Sequence, residues 1–303
     1  MAQDARGAAA AIGNFDGVHL GHQAVLAQTE SAARRLGAPL AVVTFEPHPR
    51  DYFAPDGPPF RLMNAAARAH RLEKLGVELL VELPFDADLA GLEPRAFAER
   101  VIVEELGLSH VTVGADFCFG KARAGDVEML KAFGAEMGFE VAVAEIVETG
   151  DSAISSTAIR EALTEGRPEE AAAMLGHLHR IEGEVLHGEK RGRELGYPTA
   201  NQSLEGLLPP RHGVYAVEVE VLTGDHKGSY HGAASIGVRP MFGENAVNCE
   251  TYLFDFKGDL YGVEISVGLV SFLRPEHKFA SVEGLVAQME KDCALARDIL
   301  KGG

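Results

Sequence analysis

The sequence predicts an α/β domain on a parallel sheet, Rossmann-like in its layering, followed by an antiparallel β-barrel and a closing helix. Three observations carry this. Up to about residue 150, short apolar runs alternate with helical patterns, the mark of strands joined by crossover helices. After Gly176 the helices stop, and short alternating strands follow one another through glycine-bearing turns. The last stretch, Ser281 to Leu300, returns to an amphipathic helical pattern. A chain of 303 residues is long enough for two domains that each bury a core, and the expected division is 1–176 and 177–303.

In chain order, Ala8 to Ile12 reads as a strand, and Gln23 to Leu36 as a helix that stops at Gly37. Leu40 to Phe45, Glu78 to Leu83, His110 to Val113 and Glu140 to Val147 read as further strands. In open parallel sheets, ligands bind beyond the C-terminal ends of the strands. The segments there are GNFDGVHLGH after Ile12, EPHPR after Phe45 and GADFCFGKARAGD after Val113. A short helix, Glu169 to Leu175, ends at Gly176. Val214 to Val221 then alternates, with Tyr215, Val217, Val219 and Val221 on one face and Glu218 and Glu220 on the other. Cys249 to Phe256 and Leu260 to Val267 follow as strands across a Lys-Gly-Asp turn. In the closing helix, Val282, Leu285, Val286, Met289 and Cys293 form the apolar stripe expected to pack on the barrel.

Composition narrows the function. Apolar residues at 46% and charged residues at 24% are ordinary for a soluble globular protein. A net charge of −17 disfavours nucleic acid, whose binding needs Lys and Arg against phosphates. Small phosphorylated ligands need only a local site. Cys118, Cys249 and Cys293 are scattered singly, which fits a reducing compartment. The opening MAQDARGAAA lacks the features of a signal peptide, and no stretch approaches the ~20 apolar residues of a membrane helix. A cytoplasmic enzyme with small-molecule substrates is the expectation.

Within Gly13 to His22, His19 and His22 stand where a strand becomes a helix. Unpaired N–H groups and the helix dipole favour phosphate there, and two imidazoles can stabilise charge on a phosphoryl group under attack. A surface turn or half of a zinc site are the alternatives, although zinc would need further ligands nearby. In ISSTAIR, Ser155, Ser156 and Thr157 lead into a helix as N-cap candidates, and Arg160 one turn on can reach back toward a bound phosphate. No GxxxxGKS or GxxxxGKT loop is present, and no GxGxxG follows the first strand.

The second half carries HGEKRGRELGYPTAN, from His187 to Asn201. Its glycines permit close approach of a ligand, and Lys190, Arg191 and Arg193 give local positive charge in an acidic chain. Thr199 and Asn201 offer neutral oxygens suited to magnesium held together with phosphates. Glu250 alternates onto the same side as Tyr252, Phe254 and Phe256. A carboxylate on such a face is either badly placed or a general base for a hydroxyl nucleophile.

GNFDGVHLGH, TFEPHPR, VGADFCFG, ISSTAIR, HGEKRGRELGYPTAN, GVYAV, ASIGVRPMF and CETYLFDFKGDLYG, in this order, resemble the prokaryotic bifunctional riboflavin kinase/FAD synthetase family from about Ala8 to Leu300. The resemblance implies an N-terminal FMN adenylyltransferase of the HxGH nucleotidyltransferase class and a C-terminal riboflavin kinase barrel of Greek-key topology. It assigns His19 and His22 to the ATP phosphates and the adenylyl-transfer transition state, with Gly13, Phe15, Asp16, Ser156, Thr157 and Arg160 completing that ATP site. Asp116 matches a position near nucleotide and flavin. In the barrel it gives Gly188, Lys190, Arg191 and Gly192 to ATP phosphates, and Arg193 and Tyr197 to the flavin. Thr199 and Asn201 go to magnesium and ATP, and Glu250 becomes the base for the ribityl 5′-hydroxyl of riboflavin. The implied kinase reaction yields FMN and ADP; the second joins FMN to AMP, giving FAD and pyrophosphate. Both imply magnesium with ATP. The sequence departs from the family at Ala158, Cys118, Ser235 and Met241, none of which carries an assigned role.

Overall fold

The computed structural model describes residues 5–144, 148–149, 152–188, 195–238 and 247–302, with the side chains of 148–149 and 152–153 set aside. The chain divides into two compact units: Met1–Gly57 with Arg68–Ser155, and Pro58–Ala67 with Ser156–Gly303. Among the described residues no helix is long and apolar enough to cross a membrane.

In the first unit, β1 (Ala9–Ile12), β2 (Leu40–Glu46), β3 (Leu79–Pro84), β4 (His110–Gly114) and β5 (Glu140–Ala144) form one parallel sheet in the order β3-β2-β1-β4-β5. Residues 145–147 of the expected Glu140–Val147 strand lie outside the described residues. The central strand, AAAI, is wholly buried, and its small side chains let helices approach both faces. On one side Phe97, Val101, Ile102 and Leu130 pack on it; on the other Ala32 and Ala33 of the Leu20–Leu36 helix meet Ala9 and Leu40. That helix stops where predicted, because Gly37 takes φ 64° and turns its N–H back to Ala33 and Arg34. Strand order reverses about β1, so the crevice beyond the C-terminal ends of β1 and β4 is the topological switch point. A two-residue hairpin, β6 (Glu148–Thr149) with β7 (Ser152–Ala153), follows.

In the second unit, helices Ser156–Thr164 and Pro168–Leu175 bury Ile159, Leu163, Ala171 and Leu175 against Leu62. Six antiparallel strands follow: β8 (His179–Glu184), β9 (Ala200–Ser203), β10 (Gly213–Val221), β11 (Gly228–Val238), β12 (Val247–Leu253) and β13 (Glu264–Pro275), in the order β8-β13-β10-β11-β12-β9. The meander β10-β11-β12 with β13 returning beside β10 is a Greek key. The two edges of the sheet approach each other: Leu186 donates its N–H to the Asn201 carbonyl at 2.8 Å, and buried Gln202 donates through Nε2 to the carbonyls of Gly183 and Ile265 at 3.0 Å each. This nearly closes the barrel. Its interior takes Tyr215, Val217, Val219 and Val221, the face predicted from alternation.

Three expectations need correction. The strand expected at Leu260–Val267 begins at Glu264 and runs to Pro275. Leu260–Val263 is a turn, with Gly262 at φ 72°, and Leu260 mimics a strand residue because it drops its side chain into the barrel interior from that turn. The strand expected to reach Phe256 ends at Leu253; Asp255 takes φ 59°, so Phe256 packs with the interior rather than on the face of Tyr252 and Phe254. In the closing helix, Val282–Lys301 with Ser281 as N-cap, Val282 is 57% exposed. The predicted stripe packs along its C-terminal half, where Cys293 continues into Ala296 and Leu300 with Ile299 beside them. Asp292, a charged residue the sequence pattern would not place there, widens that face. It is buried because Arg274 grips both its oxygens, at 2.7–3.0 Å.

Candidate active sites

The first constellation sits at the C-terminal end of β1. Gly13 donates its N–H to the Val43 carbonyl at 3.1 Å and the Thr44 hydroxyl donates to the Asn14 carbonyl at 3.2 Å, tying the start of the loop to β2. Phe15 (φ 50°), Gly17 (φ 85°) and Val18 (φ 43°) then turn through left-handed conformations. Phe15 and Val18 are both buried, so packing holds a strain of order 1–3 kcal/mol at each. Strain held by packing beside a ligand-facing strand end fixes the chain's direction into the helix.

His19 is the N-cap of the Leu20–Leu36 helix, its Nδ1 accepting from the His22 N–H at 3.3 Å. A neutral His19 therefore carries its proton on Nε2. The two imidazoles stack with centroids 3.7 Å apart and planes 18° apart, and Phe15 lies 5.0 Å from the His22 ring. Gly21 makes this possible: a Cβ there would stand 3.0 Å from Cε1 and 3.1 Å from Nδ1 of His19. Burial, reinforced by His19, holds the His22 pKa well below the ordinary histidine value, and its Nδ1 is buried without a hydrogen-bond partner. A neutral imidazole in this place is poised to take up charge when an anion arrives. Asp16 is buried in the same turn. Asp116, exposed, follows β4 on the same sheet edge, its Oδ1 3.1 Å from where a Gly114 Cβ would be.

ISSTAIR crosses into the second unit at Ser156. Ser156 and Thr157 form the first turn of the Ser156–Thr164 helix, Ser156 half-buried and Thr157 exposed. Arg160 donates through Nε to the Phe60 carbonyl at 2.7 Å, with its guanidinium carbon 5.3 Å from the Phe60 ring centroid.

The second constellation is built by strand register. Asn201 of β9 lies directly opposite Glu250 of β12, and Glu250 lies opposite Ser235 of β11, so these side chains share a face. Alternation adds Asn248 and Tyr252 to that face and turns Cys249, Thr251 and Leu253 inward. Asn201 is buried; its Nδ2 donates to the Thr199 carbonyl at 3.2 Å, and its Oδ1 accepts from Asn248 Nδ2 at 3.5 Å. Gly188 closes over it, since a Cβ there would stand 2.6 Å from Asn201 Nδ2. Tyr197 meets Tyr252 edge-on at 5.1 Å, and burial raises its hydroxyl pKa. Lys190, Arg191, Gly192, Arg193 and Met241 lie outside the described residues. Among the described residues no three His, Cys, Asp or Glu side chains gather as a metal-binding group.

Sequence reasoning missed Asn248, Gln202 and Gly21. Asn248 was accessible through its two-residue spacing from Glu250; Gln202 was not, since its partners are carbonyls far along the chain.

A histidine pair over a helix N-terminus at a switch point, with a Greek-key barrel carrying a carboxylate beside amide and hydroxyl oxygens, is the layout of a two-domain nucleotide-dependent transferase. The FAD synthetase family model matches residues 1–158 and the riboflavin kinase family model residues 175–300. A bifunctional riboflavin kinase/FMN adenylyltransferase from Pseudomonas fluorescens is 43% identical over 293 residues, covering 96% of this chain and 93% of that protein. Its counterpart from Haemophilus influenzae is 39% identical over 292 residues, covering 96% and 94%. A crystal structure described as that of a macrolide-efflux protein from Streptococcus pneumoniae superposes with a TM-score of 0.81 at 33% identity, over 96% of this chain and 94% of that one. The chain belongs to the bifunctional riboflavin kinase/FMN adenylyltransferase family. It phosphorylates riboflavin with ATP to FMN and adenylylates FMN with ATP to FAD.

Proposed function

We propose that the two reactions run at two separate sites, adenylyl transfer in residues 1–176 and phosphoryl transfer in 177–303. The supporting observation is that the two key groups belong to different compact units, His19 and His22 to one, Asn201 and Glu250 to the other, while residues 156–176 group with the barrel. In adenylyl transfer, a phosphate oxygen of FMN attacks the α-phosphorus of ATP, the α–β phosphoanhydride bond breaks, and pyrophosphate leaves. Little covalent chemistry falls to the protein, so placement and electrostatics carry the rate. His19, His22 and the N-terminal N–H groups of their helix face the growing negative charge, with Gly13, Phe15 and Asp16 shaping the turn. Ser156, Thr157 and Arg160 serve the ATP phosphates, and Asp116 the flavin side.

In phosphoryl transfer, Glu250 accepts the proton of the ribityl 5′-hydroxyl as that oxygen attacks the γ-phosphorus and ADP leaves. Gly188, Lys190, Arg191 and Gly192 hold the ATP phosphates, and Arg193 and Tyr197 the flavin. Thr199 and Asn201 would hold magnesium; their hard, neutral oxygens fit an ion that takes its charge balance from ATP phosphates and keeps several waters. When bound, magnesium neutralises phosphate charge that would otherwise repel the nucleophile. The three free cysteines support a cytoplasmic setting, and the net charge of −17 supports the exclusion of nucleic acid as a partner.

The test is a pair of variants assayed by chromatography with excess ATP and magnesium. Glu250→Gln loses FMN formation by roughly 10²-fold or more, while FMN supplied from outside is still adenylylated; His22→Ala does the reverse and accumulates FMN. Loss of both activities in either folded variant contradicts the two-site reading.

A further inference from the structure

The roles above leave Asn248 unused, although its surroundings are unusual for a residue with only a packing task. Its residue is 1% exposed, it stands on β12 two residues before Glu250, and it faces Asn201 across to β9. Its Nδ2 donates to Asn201 Oδ1, while its own Oδ1 is buried and accepts no hydrogen bond. A half-satisfied buried amide weakens a fold, and an apolar side chain of similar size would serve packing better. The contact it does make decides something else. A carboxamide has an oxygen edge and a nitrogen edge, and which one faces a ligand depends on its partners. Asn201 is contacted on both edges, its nitrogen by the Thr199 carbonyl at 3.2 Å and its oxygen by the Asn248 amide at a long 3.5 Å. The oxygen keeps a second lone pair.

We propose that Asn248 is a positioning residue of the kinase site, orienting the Asn201 carboxamide so that its oxygen edge serves the divalent cation accompanying ATP. This rests on the reading of Asn201 as a cation ligand. Partners that orient metal ligands typically contribute 10- to 100-fold in metal affinity, and this contact is of that kind.

The experiment compares the parent enzyme, Asn248→Leu and Asn201→Ala. Three quantities are read: the magnesium concentration for half-maximal FMN formation at fixed ATP, the magnesium dependence of ADP binding by calorimetry, and the unfolding temperature without ligand. Asn248→Leu is expected to need roughly tenfold more magnesium in the first two. Its unfolding temperature stays close to the parental one, because the orphaned Asn248 acceptor is removed while Asn201 Oδ1 loses its donor. Asn201→Ala raises the magnesium requirement at least as much. A parental requirement in Asn248→Leu beside a raised one in Asn201→Ala overturns the positioning role alone. A parental requirement in both overturns the reading of Asn201, and the proposal with it. Should Asn248→Leu not fold, Asn248→Ala takes its place with the same expected magnesium shift and the same overturning result.

Discussion

The two candidate sites are assembled in opposite ways. In the first unit, His19, Gly21, His22 and Phe15 fall within eight consecutive residues, and a strand end plus a helix start is enough to bring them together. In the barrel, Gly188, Asn201, Ser235, Asn248 and Glu250 come from four separate stretches, and only the pairing of β9, β12 and β11 makes them neighbours. A local site survives or fails with a few backbone angles, whereas a register-built site depends on the whole barrel. Substitutions beside the reacting groups should reveal that difference.

The largest effect is expected from Gly188→Ala. The added Cβ would sit 2.6 Å from Asn201 Nδ2, closer than real contacts allow, and Asn201 is anchored on two sides. FMN formation should drop on the order of 10²-fold, as for misplacement of a positioned group, with adenylylation of supplied FMN unchanged. Kinase activity within twofold of the parent would show that the glycine does not guard Asn201.

Gly21→Ala should do less. Its Cβ meets the edge of an imidazole at 3.0 Å, and a ring can tilt by a few tenths of an ångström. FAD formation from FMN should fall by about tenfold, equivalent to 1.4 kcal/mol in the barrier, with riboflavin phosphorylation intact. A loss as large as that of His22→Ala would mean that the stacked geometry itself, rather than the presence of two rings, governs the rate.

Smaller still is the response to acid, which reports on both units. Burial depresses His22 in the first unit, and burial with His177 beside it pushes His179 in the second down to about 4. The unfolded chain binds these protons at about 6.5, so it takes up more than the folded chain in between. Stability present above that pH is therefore lost as pH falls through about 4 for His179, with the same sign for His22. Denaturant titrations at pH 7.5 and about pH 5 should show the lower midpoint at the lower pH. Of these two, His22 should respond to nucleotide: an incoming triphosphate favours its charged form, so binding of a non-hydrolysable ATP analogue near pH 7 should take up protons. Calorimetry in buffers of different ionisation enthalpy measures this, and zero uptake would remove the poised-imidazole account.

How legible each site was in the sequence follows from the same contrast. The apolar run of Ala8 to Ile12, the helix stop at Gly37 and the spacing of His19 and His22 are local signals, and the structure has the strand, the helix end and the histidine pair at the helix start where the pattern puts them. In the barrel, the inward face of Tyr215, Val217, Val219 and Val221 was equally readable. β8, β9 and β11 were not singled out, because HRIEGE, ANQS and GSYHGAASIGV carry polar groups and glycines whose partners are supplied by neighbouring strands. Gln202, a polar residue inside a barrel, is stable only because carbonyls of β8 and β13 accept from it. Leu260 misled through its inward side chain, and Asp292 joins the packing face of the closing helix unannounced because Arg274 neutralises it. Residue types show which chemistry is available; long-range pairing decides which of them meet.

Mixing is the most direct test of two independent sites in one chain. Equal amounts of His22→Ala and Glu250→Gln, each unable to convert riboflavin to FAD alone, are combined with riboflavin, ATP and magnesium. If the sites act independently, the first variant makes FMN, the second adenylylates it, and FAD appears after a lag. Absence of FAD from the mixture, with both variants folded and each retaining its single activity, would contradict the account.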